Sequence, residues 1–145
     1  MLTHLGLREM GGFIENFNPK SISALNYLIY NLSKTYNVDL VISSARRDKM
    51  HKLLSLLHKE GLDYNKKIHK TPYVNTTLRG LQILAYLSDK PNKKNILAID
   101  DDSSDITPYI SESKVIKTCQ ANCSLRIEQV EKFLKDLENS NTQEL

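Results

Sequence analysis

Residues 95–106 read NILAIDDDSSDI: four apolar residues, Ile96 to Ile99, run straight into three aspartates, Asp100, Asp101 and Asp102. A short apolar run of this kind suits a strand buried on both faces, so Lys94 to Asp100 is predicted to be a strand. Adjacent carboxylates repel one another and are unfavourable without a cation, a basic neighbour or full solvation. Something is therefore expected to sit opposite the end of this strand.

Working outward, Lys114 to Thr118 (KVIKT) reads as a shorter strand, and Ser124 opens a last helix carrying Ile127, Val130, Phe133, Leu134 and Leu137. The closing ENSNTQEL is expected to fray: one domain spans 1–138, with a flexible tail over 139–145. On the other side, Thr76 or Thr77 is expected to cap a helix running through Leu78, Leu81, Leu84 and Leu87. Lys66 to Thr71 (KKIHKT) is a candidate strand ended by Pro72. Another helix is predicted from about Asp48 to Glu60, with Met50, Leu53, Leu54 and Leu57 inward and Gly61 as its stop. Val38 to Ser43 (VDLVIS) reads as a buried strand. Ahead of it, Asn18 and Pro19 open a helix with Ile22, Leu25, Ile29 and Leu32 at helical spacing.

Strands alternating with helices imply an α/β fold of three layers, a Rossmann-like parallel sheet with helices on both faces. Ligands of such sheets sit beyond the carboxyl ends of the strands. SSARR follows one strand and DDDSSD another, so hydroxyls, arginines and carboxylates are expected to meet in one crevice.

The whole-chain numbers agree with a single globular domain. The chain has 145 residues, 40% hydrophobic and 26% charged. The net charge of +3 comes from scattered lysines, a weak case for nucleic acid by itself. No apolar run approaches the ~20 residues of a membrane span, and no signal-peptide pattern opens the chain, so a cytoplasmic protein is expected. Cys119 and Cys123 lie four apart with no second pair, short of zinc spacing, and read as reduced thiols. His4, His51, His58 and His69 follow no ligand spacing.

Magnesium takes one or two carboxylates and keeps the rest of its shell for water and phosphate oxygens. Asp100 and Asp101 suit that role. Ser43, Ser44 and the amides after them suit a phosphoryl group, and Arg79 at a helix start suits its charge. Taken singly, a DD pair is commonly a solvated loop or helix cap, an SS pair is turn chemistry, and Arg79, Arg46 and Arg47 are ordinary surface cations.

In combination, VISSARR, TTLRGLQIL and ILAIDDD resemble the second, third and fourth motifs of the haloacid dehalogenase superfamily, Mg-dependent phosphohydrolases on a Rossmann-like sheet. Within it they look most like the small capless domain of "Swiss Army knife" RNA repair proteins. That group runs strand, SSxWR, a helix with an arginine at its start, strand, DD, and then a short strand and a final helix. The resemblance covers roughly Phe17 to Leu137. It implies phosphate binding by Ser43, Ser44, Arg47 and Arg79, and Mg2+ binding by Asp100 and Asp101. Arg46 stands where the family has tryptophan, which leaves its role open.

The family's first strand ends in DxDG, whose first aspartate attacks phosphorus and divides the displacement into two easier steps. No DxD precedes Ser43, and the only acidic residues before Asp39 are Glu9 and Glu15. The opening MLTHLG fits just after the glycine of such a motif, which suggests a start a few residues too late. The alternative is a natural start at Met1 with a chance likeness. In the family the missing strand is the middle of the sheet, between the strands ending at Ser43 and Asp100. Its loss predicts marginal stability, a partner strand or oligomer that completes the sheet, or inner strands that pair with each other. Nothing in MLTHLGLREMGG reads as a replacement, Leu2 to Leu7 being the one candidate.

Three functions follow as expectations. The first is a Mg-dependent phosphatase acting on a phosphomonoester, including a nucleic-acid end, with little turnover because the nucleophile is missing. The second is a non-catalytic relative that binds phosphate, metal or a protein partner. The third is a basic nucleic-acid module built on Lys66, Lys67, His69 and Lys70, set against the plainer role of a solubilising strand edge.

Overall fold

The structure is a computed structural model that describes residues 7–10, 13–17, 19–42, 50–72, 78–90, 95–100, 104–118 and 125–143. The chain opens with β1 (Leu7–Met10) and β2 (Phe13–Phe17), paired antiparallel with Met10 opposite Phe13. Leu2 to Leu7 is the candidate strand here; the hairpin begins at Leu7 and forms a two-stranded sheet of its own, paired with neither β3 nor β5 among the described residues. Two glycines, Gly11 and Gly12, separate its strands, and a Gly-Gly pair between two strand-forming runs is a recognised hairpin signal.

There follow α1 (Pro19–Leu32), β3 (Val41–Ile42), α2 (Met50–Lys59), β4 (His69–Lys70), α3 (Arg79–Leu87), β5 (Ala98–Asp100), a 3-10 turn at Glu112–Lys114, β6 (Val115–Lys117) and α4 (Ile127–Gln143). Pro19 begins α1, where its missing N–H costs nothing. Gly61 follows α2 at φ +98°, the left-handed conformation that glycine adopts without strain. The strands are shorter than the sequence pattern suggests, and α4 continues to Gln143, past the last periodic apolar residue, Leu137.

β3 pairs parallel with β4, Val41 opposite His69 and Ile42 opposite Lys70. β5 pairs parallel with β6, placing Ala98, Ile99 and Asp100 opposite Val115, Ile116 and Lys117. Among the described residues β3 and β5 do not pair with each other, so each of the two strands expected to flank a middle strand is paired on one side. Both are buried nonetheless: Ile42 is 3% exposed and Ile99 2%.

Alternation along β5 and β6 separates two cores. Ile99 and Ile116 face Ile22, Leu25, Leu28, Leu125 and Val130, the layer made by α1 and α4. Ala98 and Val115, one residue earlier, face Ile83 of α3 with Ile106 and Ile110. Side chains one apart on a strand point to opposite faces, so this division is what a sheet covered on both faces requires. The α/β architecture with parallel strands and helices on two faces is the one expected from the sequence.

Particular polar contacts fix the joints. The Tyr64 hydroxyl, buried below β3, accepts from Leu40 N at 3.1 Å and donates to Val38 O at 3.3 Å. Asn26 of α1 donates to Gly61 O and accepts from Asp63 N, which clamps the turn after α2. Gln129 of α4 accepts from Arg126 N and donates to Lys117 O, joining the start of the helix to the end of β6.

The inward face of α3 is not the predicted one. Leu78 and Leu84 are 39% and 40% exposed, whereas Ile83 is fully buried and Tyr86 nearly so. Leucines recurring every three residues drift around a helix of 3.6 residues per turn, so they do not all hold one face. Ile127 of α4 is likewise exposed, while Val130 is buried. No helix among the described residues is long and apolar enough to cross a membrane.

Candidate functional site

Asp100 is the last residue of β5, and alternation carries its side chain to the same face as Ala98, the face covered by α3. Arg79 is the first residue of α3. Its Nε lies 3.8 Å from Asp100 Oδ2, an ion pair in which the Arg79 side chain is about one-fifth exposed and that of Asp100 about one-tenth. For Asp100 this supplies a basic neighbour: a carboxylate taken largely out of water is tolerable beside a guanidinium and costly without one.

The loop after β5 holds that arginine in place. Asp105 Oδ2 accepts from Arg79 N at 2.9 Å, and Asp105 O accepts from Gly80 N at 3.0 Å. Two orphan N–H groups of the first turn of α3 are thus satisfied from a distant loop. Thr76 and Thr77, expected as caps, lie outside the described residues; the N-cap position is Leu78, which offers no side-chain oxygen. Asp105 was missed as a functional residue. The signal was present in DDDSSD, a fourth aspartate three positions after the run, but local sequence cannot show that a carboxylate caps a helix 26 residues away.

Gly80 is required by the closeness of this joint. A Cβ there would stand 2.6 Å from Tyr109 Cδ2 and 2.8 Å from Asp105 O. The absence of a side chain lets the loop after β5 lie directly on α3, and so brings Arg79 to Asp100.

The same strand end carries a further polar group. Thr118 N donates to Asp100 O at 2.9 Å, and Thr118, 2% exposed, leaves its Oγ1 without a hydrogen-bond partner among the described residues. A buried hydroxyl and a buried carboxylate therefore stand at adjacent strand ends. The carboxylate is an oxygen donor of the kind a hard cation takes, whereas the hydroxyl, one residue past the register partner of Asp100, belongs by alternation to the other face of the sheet. No group of three metal-binding side chains occurs among the described residues.

Of the residues predicted from sequence, Arg79 and Asp100 are thus brought together. Ser43, Ser44, Arg46, Arg47, Asp101 and Asp102 lie outside the described residues, as do Cys119 and Cys123. The last described residue before the serines is Ile42, in β3, which runs parallel to β4.

The family model for the HAD domain in Swiss Army Knife RNA repair proteins matches residues 3–130. That span is most of the 145 residues, and the chain belongs to this family. No curated protein and no solved structure matches it.

Proposed function

We propose that this HAD domain, a phosphohydrolase-type module by family, binds a phosphomonoester together with Mg2+ at the rim formed by Ser43, Ser44, Arg47, Arg79, Asp100 and Asp101. The observation that carries the proposal is the Arg79–Asp100 pair at the carboxyl end of β5, secured by Asp105. Asp100 and Asp101 would hold the cation, Ser43 and Ser44 would donate to phosphoryl oxygens, and Arg79 and Arg47 would offset their charge. When bound, the cation supplies charge stabilisation at the phosphoryl oxygens. Because the family is described from RNA repair proteins, a nucleic-acid end is the substrate we infer.

These 145 residues contain no DxD ahead of Ser43, hence no carboxylate at the family's point of attack. Positioning and electrostatics remain, whereas the covalent step does not. We therefore expect binding with negligible turnover, which is also what a non-catalytic phosphate- or metal-binding relative would show.

A thermal melt of the full chain tests the binding half. A ligand at ten times its dissociation constant adds about 1.4 kcal/mol of stability, a rise of several degrees for a domain of this size. Mg2+ with inorganic phosphate should raise the melting temperature, and Asp100→Asn should abolish the Mg2+-dependent part. A melt indifferent to both ligands refutes the binding site, and robust hydrolysis of p-nitrophenyl phosphate by the 145 residues refutes the expected inactivity.

A further inference from the structure

A second site lies on the other strand pair. A depression of about 550 Å3 opens between α2 and β4 with Leu54 and Ile68 as its apolar members. The remaining lining is cationic or basic: Lys66, Lys67 and Lys70 with His58 and His69. Among the described residues no acidic side chain lines it. Three ammonium groups around one concavity repel each other, an arrangement that an anion relieves.

The lysines are not equivalent. Lys66 Nζ donates to Asn37 Oδ1 and, at 3.3 Å, to Val38 O, so its side chain is drawn over the segment that leads into β3. Lys67 and Lys70 are exposed and make no hydrogen bond or ion pair among the described residues. One ammonium is thus preorganised beside two uncommitted ones, and repeated cations along an extended segment match repeated anions better than a single ion.

We propose that this pocket binds the phosphodiester backbone of a single-stranded nucleic acid. Two observations favour that partner over an anionic membrane. The surface is concave rather than flat. A membrane-docking face sets protruding apolar groups beside its basic ones, whereas here the exposed large apolar side chains are Tyr27, Tyr30, Leu78, Leu84, Tyr109 and Ile127, none of them in the lining. Ile68 is buried and, among the described residues, no aromatic ring other than the histidines lines the pocket, so recognition is of phosphates and is indifferent to base sequence. Position adds to this: Lys70 is in register with Ile42, the residue before Ser43, so a strand held here runs beside the β3 end of the rim proposed above. The pocket shares no residue with that rim and holds its ligand whether or not the rim hydrolyses anything.

The test is fluorescence anisotropy of the full chain with a labelled oligodeoxynucleotide of about 12 residues, long enough to fill a short binding groove. Both of its ends are hydroxyls, which removes the phosphomonoester on which the rim depends. With two to three phosphates contacted, log Kd should rise with log salt at a slope of about 1.4–2. Losing the contacts of Lys67 and Lys70 corresponds to about 25-fold weaker binding at 0.1 M salt. Lys67→Glu with Lys70→Glu should therefore abolish measurable binding, and Lys67→Gln with Lys70→Gln should weaken it by about that factor. Lys132→Glu, on the exposed side of α4, should change it little. Circular dichroism melts check that each variant folds, and the neutral pair serves if the charge-reversed pair does not. The proposal is overturned by no binding in low salt, by binding that the Lys67 and Lys70 changes leave intact, by a preference for vesicles containing phosphatidylserine, or by inorganic phosphate competing as well as the oligonucleotide per phosphate.

Discussion

Gly80→Ala is the most discriminating single change, because helix propensity and packing predict opposite signs. Within a helix, replacing glycine by alanine ordinarily stabilises by about 0.5–1 kcal/mol. At position 80 the new Cβ would approach Tyr109 Cδ2 to 2.6 Å, Asp105 O to 2.8 Å and Tyr109 Cβ to 3.1 Å. The Tyr109 ring is 39% exposed and has room to swing away. Asp105 O does not, because it is backbone, accepts from Gly80 N, and belongs to the residue whose carboxylate accepts from Arg79 N. Overpacking of this kind costs about 1–3 kcal/mol, and stretching the Gly80 hydrogen bond adds about 1 kcal/mol. After subtracting the propensity gain, a net loss of about 2 kcal/mol remains, which lowers the melting temperature by roughly 4–8 °C. Urea unfolding followed by circular dichroism reads this as a lower midpoint at unchanged slope. The double change with Tyr109→Ala separates the two obstacles: the clash with Asp105 O persists, so the double variant should stay less stable than Tyr109→Ala alone. A Gly80→Ala protein as stable as the parent, or more so, would refute the close packing of the loop after β5 on α3.

Two further changes probe the same framework. Leu57→Ala, at a side chain with no exposed surface in the larger core, should cost about 2–5 kcal/mol by lost burial and the cavity left behind, read as a fall in the urea midpoint. Asp105→Ala removes the acceptor for Arg79 N and should cost about 0.5–2 kcal/mol, as the loss of a helix cap does; Asp105→Asn, which retains an acceptor oxygen, should recover part of it, and equal losses in the two would show that the cap is not what Asp105 contributes.

Much of the fold was legible because it follows from short-range periodicity. Apolar runs placed β3, β5 and β6, although the ordered pairing covers fewer residues than the runs. Helical spacing with Pro19 and Gly61 as punctuation placed α1 and α2. Arg79 and Asp100 were both singled out from the sequence, Arg79 toward phosphate and Asp100 toward a metal ion, but their pairing across the β5–α3 joint is a finding of the tertiary structure. The opening hairpin carries a Gly-Gly signal, but LREM and FIENF lack the strict apolar alternation that marks a half-buried strand.

What sequence determined by itself is the alternation of strands with helices and the identities of the charged groups at the strand ends, because side-chain periodicity and charge are carried by neighbours along the chain. Tertiary structure decided which face of α3 is buried, that Asp105 caps it from another loop, that Gly80 must lack a side chain, and that the lysines near β4 surround a single concavity. Each of these depends on the distance between segments far apart in sequence, which is set by packing and leaves no trace in any local pattern.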